Sequence, residues 1–486
     1  MAIWASCSTS PPDSLGAHPK SLPFIVKPAD DGDALTDDER VEFTDRFAAL
    51  LHSIRYFDFL DERVYGWPES DPEKRYWYAT YWSGTKVIKS GGAVTYQEGS
   101  YGSDNNGITT SPFLEGACYD YLLTKNEKVG HLVRRLLRGT TSWIMAMEKQ
   151  KDDPQGAMLA RAAYPEPIHS TDGGRDIFFD TSMVRPGGTA DTTSTFVEVA
   201  TNPYWGDIWI KNNRSKDDIG HMLRAMAQVD SCAGQIKESG AENDFDDLWR
   251  RYGAWARQVE DDNFSIATYD TSGTRVLTHD VLANFLPDLE CNAELSLHLV
   301  GRGATTDFDC GNGYPETDAT LISLAKQNGD IVRSFHEAVT NWALLRNQTD
   351  LAKDLVGGMA LRIGDYLAQV EAEPAAPPSS DPRDLADLIV YGANTGVPLT
   401  WHQIRWLKSA VEDAITFYTQ IEQTIFHTFD DSAPDGDYYF LPVDASMLKF
   451  HTLGPLLGLC AAQFRNSASK PLFDCARLAA DLRANP

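Results

Sequence analysis

The pattern of apolar and polar residues along the chain is mainly that of amphipathic helices. Thr36, followed three residues later by Glu39, makes a capping box that predicts a helix start. Four apolar residues then recur at the spacing of one helix face, namely Phe43, Phe47, Leu50 and Leu51. The same periodicity predicts twelve further helices, at 113–123, 127–149, 216–233, 243–258, 278–286, 291–302, 317–328, 330–346, 350–371, 383–391, 401–428 and 445–465. Short loops join many of these segments, so the pattern favours an all-α fold.

Alternation typical of β-strands is confined to two stretches, 76–94 and 195–211, and the second contains an Asn202-Pro203 turn. We interpret both stretches as small β-hairpin insertions in a helical body. Residues 1–35 are rich in Pro, Ser and Asp, which predicts an N-terminal tether or strap, and 36–486 then form one helical domain. The Pro-rich stretch 373–382 is interpreted as a loop because helical periodicity resumes directly after it.

Composition excludes several classes of protein. Apolar residues make up 42% of the 486 residues and aromatic residues 11%, which is too much for a disordered chain. The 70 acidic residues outnumber the 43 basic ones, and a formal charge of −27 would repel a nucleic acid backbone. No apolar run approaches the roughly 18 residues that a membrane-spanning helix needs. We therefore expect a globular protein that binds no nucleic acid.

The first residues resemble the junction between a bacterial lipoprotein signal peptide and its mature chain. Ala5 and Ser6 precede Cys7, and a Ser- and Pro-rich tether follows. This resemblance predicts a lipid anchor at Cys7 and an extracytoplasmic location, in the periplasm or on the cell surface. A chance match is the alternative.

The six later cysteines are even in number, as disulfide pairing in an oxidising compartment would permit. They are Cys118, Cys232, Cys291, Cys310, Cys460 and Cys475. None has the CxxC spacing of a structural zinc site, and the pairing cannot be read from the sequence. Buried free thiols in a cytosolic protein are the alternative interpretation.

The stretch 209–228 carries the clearest candidate chemistry. Ser215 and Asp218 have the spacing of a helix cap, and acidic residues in a first turn complement the helix dipole. A buried stripe is predicted for Ile219, Met222, Leu223 and Met226. Asp217 and His221 are four residues apart on a different face, and a carboxylate beside an imidazole suits acid and base chemistry. A plain helix cap and a catalytic pair therefore both remain open.

The stretch SKDD at 215–218 resembles the Ser-Arg/Lys-Asp-Gln helix start of many (α/α)6 toroid proteins, the six-hairpin glycosidase-like superfamily. It follows Trp209 and an Asn-rich turn, and it departs from the usual form at Asp218, where Gln is common. Residues 113–143 resemble the helix hairpins of the same superfamily. The resemblance implies a double ring of helices, with a sugar-binding cleft where the inner helices begin.

In that framework, the catalytic candidates are Asp217, Asp218, His221 and Asp104, the last in a glycine-flanked loop before the helix at 113. Capping and turn formation are the alternative roles for these residues. The candidates for substrate binding are two basic residues suited to an acidic sugar and several polar or aromatic residues at helix starts. They are Arg214, Lys216, Tyr101, Trp209, Asp309, Tyr314, Trp401 and His402. Packing or solvation explains any one of them equally well.

Two classes of function follow. The first is a carbohydrate-active enzyme, either a glycoside hydrolase with paired carboxylates or a polysaccharide lyase using His221. The second is a non-catalytic surface lipoprotein that binds glycan or a partner protein, and a toroid enzyme acting on another small molecule is a further alternative. Nucleotide-binding, HExxH and GxSxG motifs are missing from the sequence, and we expect no metal or other cofactor. The sequence does not indicate the oligomeric state.

The cysteine pattern yields a direct test. We expect at least one disulfide among the six later cysteines, because an extracytoplasmic protein would oxidise them. Free thiols should be counted in the denatured, unreduced protein, with a fully reduced sample as the control. Six free thiols among these positions would contradict the extracytoplasmic interpretation.

Overall fold

Helices predominate in the part of the chain that the computed structural model describes. The described residues are 34–55, 86–91, 93–97, 106–153, 157–160, 162–164, 184–185, 189–190, 196–211, 219–220, 222–223, 226–237, 241–262, 265–269, 274–281, 340–345, 349–372, 389–390, 392–393, 397–425, 435–439, 456–460 and 472–484. The helices are α1 (Asp37–Arg55), α2 (Asn106–Thr124), α3 (Glu127–Met145), α4 (Met226–Ala233), α5 (Ala241–Asp261), α6 (Thr349–Ala372), α7 (Trp401–Ile425) and α8 (Cys475–Ala484). Helical residues also occur at 219–220, 222–223, 340–345, 389–390, 392–393 and 456–460. A mainly helical fold is thereby confirmed.

The capping box predicted at the start of α1 is present. The Thr36 backbone N–H donates to Glu39 Oε2 at 2.8 Å, and the Glu39 N–H donates to Thr36 Oγ1 at 3.2 Å. Phe43 and Phe47 are fully buried, and both rings contact Phe473, with centroids 5.3 and 5.0 Å from its own. The face predicted from periodicity is therefore the face that packs.

Two helix hairpins lie side by side. A two-residue turn joins α2 to α3, and in it Lys125 has φ 55° while Asn126 caps α3 by accepting from the Lys128 N–H. The second hairpin consists of α4 and α5. Contacts between the hairpins pair α2 with α4 and α3 with α5.

The register of these contacts fixes the helix directions. A disulfide joins Cys118 to Cys232, and the Tyr121 hydroxyl donates to the Gln235 carbonyl; the sequence separation is 114 residues in both cases. A constant separation means that α2 and α4 run parallel. Side-chain bonds between α3 and α5 have separations of 106, 110 and 112 residues, so the contacts advance in the same direction along both helices and these helices are parallel too. The starts of α2 and α4 consequently lie at the same end of the two hairpins.

Helices distant in sequence meet on α1. Arg405 bonds Glu39, and Arg46 bonds Glu412, both across 366 residues, so α1 and α7 run parallel. The last described helix, α8, packs against both α1 and α2. Arg483 of α8 donates to the backbone carbonyls that end α2. Helix α8 therefore connects the first described helix to the first hairpin.

Ten strands form three small sheets among the described residues. They are β1 (Lys86–Ser90), β2 (Ala93–Gln97), β3 (Ala162–Tyr164), β4 (Val184–Arg185), β5 (Thr189–Ala190), β6 (Phe196–Asn202), β7 (Gly206–Lys211), β8 (Ser265–Tyr269), β9 (Arg275–Val281) and β10 (Gly436–Tyr439). The strand orders are β10-β1-β2, β3-β7-β6 and β4-β5-β9-β8. The hairpin expected in 195–211 is confirmed as β6–β7, with Asn202 accepting from the Tyr204 and Trp205 N–H groups in the turn.

The helix expected at 278–286 is wrong over 278–281, because these residues belong to β9. The β-branched residues of β8 and β9 flank the Asp-Thr-Ser-Gly stretch at 270–273, which favours a hairpin. Pairing with β8 and β5 then holds β9 as a strand. The expectation that strands are confined to 76–94 and 195–211 is also wrong, because β8 and β9 lie outside both stretches.

Two disulfides occur in the described residues, Cys118–Cys232 and Cys460–Cys475. The expectation of at least one disulfide is thereby confirmed, and the bonds indicate an oxidising environment outside the cytoplasm. Cys7, Cys291 and Cys310 lie outside the described residues. None of the described helices is long and apolar enough to cross a membrane.

Phe473 should be a major source of stability, because its buried ring packs between two others on α1. We expect Phe473→Ala to lower the free energy of unfolding by about 3–5 kcal/mol. Arg477→Ala is the matched control: its ion pair with Asp45 is exposed to solvent, so this change should lower the free energy of unfolding far less. Urea unfolding measures both free energies of unfolding. Equal losses would contradict the conclusion that the Phe473 ring makes the main stabilising contact with α1.

Candidate functional site

Most of the residues selected from the sequence lie outside the described part of the chain. They are Asp104, Asp217, Asp218, His221, Arg214, Lys216, Tyr101, Asp309 and Tyr314. The backbone of Trp209 lies in β7, opposite Tyr164 and Glu198 on the two neighbouring strands. Trp401 and His402 begin α7. The roles assigned to these residues therefore stay predictions.

The apolar stripe predicted beside the Asp217–His221 pair is confirmed. Ile219, Met222, Leu223 and Met226 are all buried, each no more than 2% exposed. This stripe fixes which side of the segment faces the core. The possible roles of Asp217 and His221 both remain proposals.

The start of α7 has a second capping box. The Thr400 N–H donates to Gln403 Oε1 at 3.0 Å, and the Gln403 N–H donates to Thr400 Oγ1 at 3.2 Å. Glu371, near the end of α6, accepts from the Thr400 hydroxyl and from Gln403 Nε2, so it uses both carboxylate oxygens. Glu371 thus ties the end of α6 to the start of α7, and its contacts are those of a structural group.

Aromatic rings lie on the outer side of this helix start. His402 is exposed, Trp401 and Trp406 are half-buried, and the rings of His402 and Trp406 meet edge to face at 4.4 Å. Trp401 and Trp406 also pack partly against the hydrophobic core. Such a surface suits the apolar face of a sugar ring.

A buried charged network lies where α3 ends. Arg251 of α5 contacts Glu148 through Nη1, Asp152 through Nη2 at 2.8 Å and Asp247 through Nε at 3.0 Å. The Tyr204 hydroxyl donates to Glu148 Oε2 at 2.6 Å. Only 5% of the Arg251 side chain and 3% of the Glu148 side chain are exposed. The network joins the end of α3, the β6–β7 turn and α5.

Ionisation of this network follows from its burial. Burial raises the pKa of Glu148, while the positive charge of Arg251 acts in the opposite direction. Burial and the bond to Glu148 raise the pKa of Tyr204 to about 12. Tyr204 therefore stays protonated at neutral pH and is a poor general base. Both oxygens of Glu148 are engaged with protein groups, so the network is better suited to holding elements together than to catalysis.

Little in the sequence indicates this network. Glu148 and Arg251 are 103 residues apart, and neither is part of a recognisable motif. The one local clue is Asn202, whose turn places Tyr204 next to the charged pair.

Polar side chains are also buried near the start of α2. Thr110, Ser111 and Glu115 are at most 1% exposed. Close to α4, the buried Asn341 donates from Nδ2 to the Leu223 carbonyl. Polar side chains therefore form part of the core beside α2 and α4.

Comparisons with protein-family models, curated proteins and solved structures find no match to the chain. Within the described residues, no group of three or more His, Cys, Asp or Glu is arranged to hold a metal ion. The case for function therefore depends on the chain's own residues.

The ion pair of Glu148 with Arg251 should produce a pH-dependent stability change when it is broken. Arg251→Met leaves a buried carboxylate without its main cation, which should cost about 3–5 kcal/mol near pH 7. The loss should be smaller at about pH 5, because protonation of the Glu148 carboxyl removes the unpaired charge. Burial raises the pKa of Glu148, so its protonated form contributes stability at low pH that is lost as pH rises through that pKa.

Urea unfolding at the two pH values measures this effect. Arg250→Met is the matched control, because that side chain is 41% exposed and bonds the same two aspartates. The double variant Glu148→Gln, Arg251→Met should recover part of the loss at pH 7. A loss independent of pH would show that Arg251 acts through packing alone.

Proposed function

We propose that the chain is a carbohydrate-active enzyme, a glycoside hydrolase or a polysaccharide lyase, whose cleft lies at the end where α2 and α4 begin. The observation that carries this proposal is the parallel direction of α2 and α4. The proposal assigns to that end the two segments in which the sequence has acidic and imidazole groups.

Chain connectivity links those groups to the helices. Asp104 precedes the first residue of α2 by 2 positions, and Asp218 directly precedes the helical residues at 219–220. We propose that both segments lie at that shared end. Carboxylates converging from two helix starts are what acid and base catalysis on a glycosidic bond requires.

The arrangement of hairpins supports the toroid as part of the proposal. In a double ring of helix hairpins, each helix runs parallel to its equivalent in the next hairpin, as α2 does with α4 and α3 with α5. A closed ring also brings its first and last helices together. The packing of α8 against both α1 and α2 agrees with such closure.

Two further features fit a secreted glycan-processing protein. The disulfides agree with an extracytoplasmic location, for which lipid attachment at Cys7 is the proposed anchor. The aromatic group of Trp401, His402 and Trp406 offers a stacking surface for sugar rings. The same group favours the second candidate, a non-catalytic lipoprotein that binds glycan.

The two enzyme classes differ in the group that performs the key step. Hydrolysis needs one carboxyl group as acid and another as base or nucleophile, for which Asp217 and Asp104 are the candidates. Elimination needs a base beside a uronate, for which His221 is the candidate, with Arg214 or Lys216 neutralising the acid. The product separates the classes, because elimination leaves an unsaturated uronate that absorbs ultraviolet light.

Asp217→Asn should lower turnover by about 10²-fold or more and leave folding intact if Asp217 is the acid or base. We would incubate the protein with polygalacturonate, alginate, amylose and xylan, and follow both reducing ends and unsaturated uronate. His221→Ala should behave alike if the imidazole takes part.

Glu42→Gln, on the exposed side of α1, is the control for removing a carboxylate and should retain full turnover. A helix cap alone predicts that Asp217→Asn costs at most about 1 kcal/mol of stability and no activity. Glycan binding without any product from the wild-type protein would favour the non-catalytic candidate.

A further inference from the structure

The two described disulfides differ in how far they are open to solvent. Cys118 and Cys232 are both fully buried, so their bond lies inside the core. In the other bond Cys460 is fully buried, whereas Cys475, the first residue of α8, is only partly buried. Thiol–disulfide exchange requires a thiolate to reach one of the two sulfurs. A reductant in solution therefore has more direct access to the Cys460–Cys475 bond.

The buried side of this bond is fixed by contacts of its own. The three leucines of the segment 456–460 are all buried in the core. A Cβ at Gly458 would lie 3.0 Å from Cζ of Tyr119, so the backbone of this segment packs closely on α2. Neither contact involves a sulfur atom. The segment 456–460 should therefore stay in place when the disulfide is opened.

The other side of the bond, α8, depends more strongly on it. This helix has 10 residues, which is too short for a helix to be stable in isolation. Its buried residues are Leu478, Ala479 and Leu482. Its ion pair between Arg477 and Asp45 is exposed, and such pairs stabilise little. The disulfide, which closes a loop across 15 residues, is therefore a substantial part of what holds α8 in place.

The position of the bond connects it to the surface of α1. Phe473 lies two residues before Cys475, and its ring contacts Phe43 and Phe47 of α1. When the start of α8 loses its covalent tie, this ring packing has to hold the segment against α1 without it. The state of the disulfide therefore bears directly on whether the aromatic face of α1 stays covered.

We infer that the Cys460–Cys475 disulfide is a redox-sensitive clasp, which a dithiol reductant opens in the folded protein to loosen α8 from α1. A thiolate of the dithiol attacks Sγ of Cys475, the bond to Cys460 breaks, and the Cys460 sulfur leaves with the electron pair and takes up a proton. The second thiol of the reductant then loses its proton, displaces Cys475 and closes the reductant's own disulfide. Two electrons and two protons pass to the protein, and the core disulfide stays intact. This inference does not depend on the proposed function.

Dithiothreitol is the probe, applied to the full-length native protein. Released thiols are alkylated at successive times and located by peptide mass spectrometry, and hydrogen exchange is recorded on the same samples. Cys460 and Cys475 should be alkylated about 10²-fold faster than Cys118 and Cys232, because the buried bond is reached only when the core opens.

Hydrogen exchange reports what the reduction does to the fold. Loss of the 15-residue cross-link should raise the exchange rate of α8, and of α1 around Phe43, by up to about 10²-fold. The helices α2 to α5 should keep their protection. Reoxidation with oxidised glutathione should restore the original exchange rates.

The double variant Cys460→Ala, Cys475→Ala is the matched control. Its α8 should exchange as fast as in the reduced wild-type protein and should not respond to dithiothreitol, which separates this bond from effects on the other cysteines. Simultaneous reduction of both disulfides would overturn the inference, as would reduction of the Cys460–Cys475 bond with no rise in α8 exchange. A bond that resists dithiothreitol until the protein is denatured would overturn it too. If the double variant does not fold, the wild-type measurements still decide between these outcomes.

Discussion

The register between α2 and α4 is the constraint on which the arrangement of the helices depends. Cys118 and Cys232 are both fully buried, so the bond between them lies inside the core. The Tyr121–Gln235 hydrogen bond repeats the same register one turn further along. The disulfide and the hydrogen bond share one register, so the two hairpins cannot slide past each other. The loops that join α2 to α3 and α4 to α5 then align α3 with α5.

Burial of charge is the second constraint, and it follows from how deeply α3 is enclosed. Arg134 and Arg138 lie on this helix with side chains no more than 6% exposed, and both bond Asp244 on α5. The desolvation of such groups is unfavourable unless each charge has a partner of good geometry. The partners on α5 therefore fix α5 against α3 more specifically than apolar contact alone would do.

Local signals in the sequence were reliable where the structure is decided locally. The Thr36–Glu39 box and the stripe from Ile219 to Met226 depend on neighbours within a few residues, and both were predicted. The error at β9 arose because Arg275–Val281 contains apolar residues compatible with either period, and pairing with β5 and β8 decides between them. Such pairing depends on residues far away in sequence.

Other features were beyond local pattern. Helix α8 has only 10 residues, and its buried face is limited to Leu478, Ala479 and Leu482, which is a weak periodic signal. The contact of Glu148 with Arg251 and the buried position of Ser111 arise from tertiary packing, which brings together residues more than 100 positions apart. For the candidate site, the sequence predicted which segments carry reactive groups, and most of these residues lie outside the described part of the chain.

The contact of α1 with α8 has a consequence for synthesis. Asp474 bonds Thr44 across 430 residues, and the neighbouring Phe473 covers Phe43 and Phe47. At about 5–20 residues per second, a ribosome adds that length of chain in roughly 20 to 90 s. During this interval α1 lacks the surface that buries its aromatic face. The aromatic face of α1 is therefore exposed to aggregation until the segment around Phe473 has been synthesised.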